Sequence, residues 1–349
     1  MTQARRNERT ILTITILGLL IGTGFGPCVG AKEEPEIIEE PEIIKPEGII
    51  RGIKIASIQI IDETDDYAIC DVEFIGEQDA RIKGTLLIPF EPNGAGTISY
   101  CGMGAPRDVM SADTFARTGY IALACDNRGH GESGGYWNEK YMMLDAVKQV
   151  DILEALLENL NGNITGLPGN GNIGVCGSTS MGARNVLHTA AFDSRVKAVV
   201  TFGTILNLRE GVILPALESP TFIIEYLNMA ARQDIDLATE IHILPLSPGT
   251  PIVAIHVLHY FLQEFIYPSD KFVPSINVPT LCVYGENDVT APSKSFKRVF
   301  DQIGSQEKEL LVVSNANNQF ITPEGASKGG EVLDAAVAWM NKYLLEVPI

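Results

Sequence analysis

Cationic side chains are few: 26 Lys and Arg stand against 44 Asp and Glu, for a formal net charge of −18. A surface of that sign repels phosphate, which excludes nucleic acid and anionic membrane as electrostatic partners. Cysteine pairs at metal-ligand spacing are absent. The six cysteines include no C-x-x-C, so neither a zinc site nor a dense disulfide framework is written in the chain. Cys101, Cys125, Cys176 and Cys282 each fall in or at the end of an apolar strand-like run and read as small buried hydrophobes. Histidine is the most telling shortage. The five are His130, His188, His242, His256 and His259. His256 and His259 have the spacing of one helix face, yet no acidic third ligand accompanies them, and neither a metal nor a cofactor is expected.

What is present begins with a targeting pattern. Arg5, Arg6 and Arg9 precede an apolar stretch over 11–21, and Val29-Gly30-Ala31 offers small residues for cleavage. Residues 1–31 therefore read as a signal peptide. Extended through Gly30, the same stretch reaches the roughly 20 residues that span a bilayer, so an N-terminal membrane anchor is the rival reading. Either way the domain is expected to be exported and extracytoplasmic. Residues 32–50 carry EEPEII twice and then KPEGII. Regular proline and like charge make an extended acidic linker of them.

The remaining chain, 51–349, is long enough for one large domain, with 45% hydrophobic and 20% charged residues overall. Runs at 53–55, 67–74 and 82–89 alternate in part and are cut by acidic breaks, which suits an antiparallel start to a sheet. After Gly94 the rhythm becomes strand, helix, strand. Short apolar runs at 97–100, 121–125, 173–176, 196–202, 280–284 and 310–313 predict a mainly parallel sheet with helices on both faces, an α/β fold. The stretch 206–267 breaks this rhythm. It is apolar, mostly helical in pattern and divided by five prolines, and it reads as a helical cap over the carboxyl ends of the strands.

Four motifs then fall in order. Tyr100-Cys101-Gly102-Met103-Gly104 ends a strand, and Asp126-Asn127-Arg128-Gly129-His130-Gly131-Glu132-Ser133 follows the next. Ser178-Thr179-Ser180-Met181-Gly182 lies between a strand and a helical pattern, and Gly285-Glu286-Asn287-Asp288 follows a further strand. A serine on a sharp strand-to-helix turn exposes its hydroxyl above the sheet, and its strained backbone requires small residues two positions to either side. Ser178 and Gly182 meet that requirement with Ser180 at the apex; the shifted frame, with Thr179 at the apex, would not put Gly182 at the required place.

From about residue 82 onward these motifs resemble the α/β-hydrolase superfamily, in particular its esterase, acyl-peptidase and serine-aminopeptidase-like branches. The resemblance implies Ser180 as nucleophile and Asp288 as the acid of a triad. It also implies the backbone N–H groups of Met103 and Met181 as oxyanion donors, each typically worth about 3 kcal/mol. The expected substrate is a small-molecule ester, amide or peptide. In the family's His position, within 314–320, this chain has Asn318. An amide has no lone pair basic enough to accept the serine proton at neutral pH. By analogy with triad deletions, the loss costs about 10⁴ to 10⁶ in turnover. His130 is the spare base its motif places nearest the carboxyl side of the sheet. The rival to a weakened serine hydrolase is a non-catalytic binding protein that uses the capped apolar pocket.

Overall fold

Runs of β-branched residues bounded by Gly, Pro or acidic breaks become strands, and the apolar stripes between them become helices. The computed structural model describes residues 49–50, 53–102, 105–159, 169–178, 181–203, 242–245, 252–255, 269–288 and 293–346. Among these, one sheet has the order β1-β2-β3-β4-β6-β5-β7-β8-β11-β12. The first four strands are β1 (Ile49–Ile50), β2 (Ile53–Glu63), β3 (Tyr67–Ile75) and β4 (Arg81–Pro89), which pair antiparallel. Next come β5 (Gly96–Tyr100), β6 (Ile121–Cys125), β7 (Ile173–Gly177), β8 (Val196–Phe202), β11 (Thr280–Gly285) and β12 (Lys308–Val313), all parallel to one another. β6 joins the two halves by lying antiparallel to β4.

Consecutive strand residues face opposite sides. Ala122, Val200 and Val283 join one apolar cluster with Phe115 of helix α1 (Val109–Arg117) and Trp339 of α5 (Gly329–Met340). Their neighbours Leu123, Val199 and Cys282 join the other. That cluster includes Leu153 of α2 (Glu139–Asn159), Val186 of α3 (Met181–Phe192) and Phe296 of α4 (Ser293–Gln302). Burial on both faces explains why the parallel strands read as unbroken apolar runs.

Several expectations change or go unaddressed. Ile49 and Ile50, the end of the expected linker, pair with β2 as an edge, because two β-branched residues free of proline can complete a ladder. Residues 1–48 lie outside the described residues, and with them the signal or anchor. No helix among the described residues is long and apolar enough to cross a membrane. In the region read as a mostly helical cap, β9 (His242–Pro245) and β10 (Ile252–Ile255) are extended and pair antiparallel. Their Ile and Val content favours strand over helix. The rest of 206–267 lies outside the described residues. The cysteine expectation holds: Cys101, Cys125, Cys176 and Cys282 are buried free thiols. Desolvation raises the Cys101 and Cys282 pKa values to about 12.

Arg128, from the second motif, is 1% exposed, and its Nε donates to Asp145 Oδ2 on α2 at 2.7 Å. The same carboxylate accepts the Glu77 N–H at 2.7 Å. Removing one member of such a buried pair strands the other charge. Arg128→Met is therefore expected to cost about 3 to 5 kcal/mol in urea unfolding. Adding Asp145→Leu should recover much of that loss, and an unimproved double variant would show that the pair is not the cause.

Candidate active site

The carboxyl ends of the parallel strands lie in one row, with Tyr100 beside Gly177, Gly177 beside Thr201, Thr201 beside Cys282 and Cys282 beside Leu310. The turn from β7 into α3 sits on this row. Thr179 and Ser180 lie outside the described residues, as do Met103 and Gly104, but both flanks of the turn are defined. Ser178 N–H donates to the Tyr100 carbonyl at 3.0 Å. A Cβ on Gly182 would sit 2.5 Å from that same oxygen and 2.8 Å from the Cys101 carbonyl. On Gly177 it would sit 2.3 Å from the Gly182 carbonyl. Glycine is thus required at 182, as the motif spacing implies, and also at 177, which the motif did not single out. Met181 opens α3 with its side chain buried. The N–H groups of a helix's first turn have no intrahelical acceptor, which is what an oxyanion donor at 181 needs.

The segment after β5 is braced by buried polar groups. Asn127 Nδ2 donates to the Cys101 carbonyl at 3.0 Å, and Asn185 Nδ2 on α3 donates to Asn127 Oδ1 at 3.3 Å. Asp126 accepts the N–H groups of Arg107 and Glu132 at 2.8 and 3.0 Å and pairs with the Arg107 guanidinium at 3.0 Å. Ser133 Oγ donates to the Asp126 carbonyl at 3.0 Å and accepts the Lys83 N–H at 2.9 Å. The second motif is thus a brace that fixes the expected oxyanion segment against the elbow helix.

The acid turn and the loop carrying Asn318 are fastened main chain to main chain. Glu286 N–H donates to the Val313 carbonyl at 3.0 Å and Asn287 N–H to Ala316 at 2.8 Å. A Cβ on Gly285 would stand 2.2 Å from the Asn317 carbonyl, so only glycine permits the approach. Asp288 is 7% exposed, with its N–H on the Gly285 carbonyl at 2.9 Å. Asn318 occupies a turn closed by Phe320 N–H on the Asn317 carbonyl at 3.0 Å. The Asn317 side chain supports that turn by accepting from the N–H groups of Gln319 and Ile321 at 2.9 and 3.0 Å.

Ser178 and Asn318 line one cleft of about 350 Å³, a size suited to a small ligand. Phe202, Phe320 and Leu333 give it apolar walls, and Asp108 stands at the start of α1. The Asp288 carboxyl is buried and does not line the cleft. Among the described residues no group of His, Cys, Asp and Glu is placed to hold a metal ion.

Acetyl xylan esterase 1 from Thermoanaerobacterium sp. superimposes with a TM-score of 0.58 at 17% identity, covering 84% of this chain and 90% of that one. This is an α/β-hydrolase fold. An acetyl xylan esterase from Paenibacillus sp. R4 gives 0.59 at 17% identity, over 82% and 88% of the two chains. A hypothetical protein from Pseudomonas aeruginosa gives 0.60 at 18%, over 81% and 96%. In sequence, an uncharacterized 31.7 kDa Escherichia coli protein from the traX-finO intergenic region is 24% identical over 273 residues, 70% of this chain and 88% of that one. No family model matches the chain.

Of the histidines with described side chains, His130 and His188 do not line the cleft. His130 is 1% exposed and does not line the cleft. Its Nδ1 lies 3.0 Å from the Arg128 carbonyl. A carbonyl only accepts, so Nδ1 carries the proton and the buried Nε2, with no partner among the described residues, is a bare lone pair. The imidazole packs inside the brace loop, so its position does not support the spare-base role. His188 is fully buried in α3, its ring centroid 3.9 Å from that of Phe272. His242 lies in β9, and His256 and His259 lie outside the described residues.

Burial lowers the His130 pKa against the opposing pull of the Arg128 carbonyl and Asp126, and burial with Arg184 nearby lowers that of His188 well below the usual value. The unfolded chain takes up protons near pH 6.5 while the folded protein does not. Stability is accordingly full above about pH 6.5 and falls as pH drops below it. Urea midpoints measured from pH 7.5 to 5.5 should decline, and the decline should be shallower in His130→Gln. A midpoint independent of pH would contradict this account.

Proposed function

We propose that the protein is a serine hydrolase of small esters, with small amides or peptides as the related class. Ser180 is the nucleophile that forms an acyl-enzyme, and Met103 and Met181 supply the oxyanion N–H groups. Asp288 holds the triad's acid position, and Asn318 stands in place of the imidazole. The observation that carries this reading is the shared cleft: Ser178 and Asn318 line it together, and the Asn318 loop is hydrogen-bonded to the turn that bears Asp288. The fold's likeness to acetyl xylan esterases supports esters as the first substrates to try. The apolar walls suit an uncharged acyl group. The N-terminal segment would deliver the domain to an extracytoplasmic location, as a secreted or tethered protein.

Asn318 also limits the reaction. Without an imidazole the serine proton has no strong acceptor, and turnover should lie far below that of a complete triad. This residue favours a second reading, a binding protein that retains the cleft and has lost the chemistry. Turnover of p-nitrophenyl acetate separates the two. Under the hydrolase reading, the natural protein exceeds Ser180→Ala, and Asn318→His gains by about 10² or more, the usual worth of a general base. A folded Asn318→His protein no faster than Ser180→Ala would leave the binding reading.

A further inference from the structure

We infer that Asp108 is the proton acceptor of the cleft. This rests on the hydrolase reading and adds to it the base that Asn318 cannot be. Among the described lining residues, Asp108 alone carries a group that takes and returns a proton in aqueous conditions; Asn318 and Gln319 offer amides, and Ser111, Ser178 and Ser327 offer hydroxyls.

The carboxylate is held in place. It caps α1, with Oδ1 accepting the Ser111 N–H at 3.1 Å and Oδ2 the Ser111 hydroxyl at 2.8 Å. The preceding residue is fixed in turn by the bond from Arg107 N–H to Asp126. Two accepted bonds leave roughly half of a carboxylate's lone-pair sites open. Among the described residues no ion pair engages it. Arg107 is committed to Asp126 and Glu132, and at the start of α5 Lys328 pairs with Glu331. The Asp108 charge is felt by the buried thiols of Cys101 and Cys176, whose pKa values it helps raise. Cys101 directly follows β5 and Cys176 is the penultimate residue of β7, the strands that frame the elbow.

The reaction balances with this one group. The Ser180 oxygen bonds to the ester carbonyl carbon as its proton passes to an Asp108 oxygen. The tetrahedral oxyanion then re-forms the carbonyl and expels the alkoxide, which leaves with the proton from Asp108. Water attacks the acyl-enzyme in the same way, giving its proton to Asp108. When the acyl bond to Ser180 breaks, the serine oxygen takes that proton back. A carboxylate is a weaker base than imidazole, so the expected rate is low and its pH dependence differs.

The test is kcat/KM for p-nitrophenyl acetate from pH 4 to 8, with Ser180→Ala as background. The expected profile is flat from pH 8 to about 6, with no break near pH 6.5 where an imidazole base would titrate. Asp108→Asn should lower kcat by about 100-fold. Its melting temperature should hold, because Asn caps a helix about as well as Asp. In Asn318→His an inflection near pH 6.5 should appear, and Asp108→Asn in that background should cost less than 10-fold. Ser180-dependent turnover that Asp108→Asn leaves within two-fold, or a natural profile that already breaks near pH 6.5, overturns the inference while the hydrolase reading stands. Natural and Asn318→His proteins that are both indistinguishable from Ser180→Ala overturn both. A natural protein indistinguishable from Ser180→Ala while Asn318→His is active overturns Asp108 and, for the natural protein, the hydrolase reading with it.

Discussion

Main chain meets main chain along the carboxyl edge of the sheet, and the rest of the site depends on that approach. The ends of β5 and β7 and the start of α3 come so close that a methyl group at Gly177 or Gly182 would overlap a carbonyl. Gly285 plays the same part between the acid turn and the loop of Asn318. Real Cβ atoms do not tolerate contacts below about 3 Å, and well-packed interiors relax only partly around them. Each glycine therefore fixes where a neighbouring functional segment must run.

Polar groups buried at such an edge have to be satisfied locally, because water cannot reach them. The Asp126 to Ser133 loop does this for the segment after β5, and Asn127 and Asn185 tie that segment to the elbow helix. A buried ion pair, Arg128 with Asp145, holds the loop from behind. The same frame brings Asp108 and Asn318 to one cleft. Chemistry then depends on which of these wall residues can accept a proton. The imidazole of His130 is buried against the Arg128 carbonyl, and the amide at 318 has no basic lone pair.

Much of the fold was legible because burial on both faces makes parallel strands uniformly apolar. The runs at 121–125 and 196–202 match β6 and β8 residue for residue. The antiparallel start was legible from alternation at 67–74, although β2 continues to Glu63 through a stretch whose pattern is irregular and whose pairing with β3 shifts register. The extended residues of β9 and β10 were missed because an apolar, proline-divided stretch fits helix and strand alike. At the site, the roles given to Ser180, Asp288 and Asn318 come from the motifs' resemblance to the α/β-hydrolase superfamily. Those of Gly177, Asn127 and Asn185 were not legible, since they come from contacts between distant segments. Asp108 reads locally as a helix cap, and only the folded chain brings it to the cleft that Ser178 and Asn318 also line.

The central claim is that residue 318 holds the imidazole's place opposite a nucleophile at 180. The most direct measurement is mass-spectrometric mapping of the adduct formed when folded Asn318→His protein reacts with a fluorophosphonate. The account predicts one modified residue, Ser180, labelled faster than in the natural protein. Modification at Ser178 or Thr179 instead, or no adduct on a correctly folded Asn318→His protein, would contradict it.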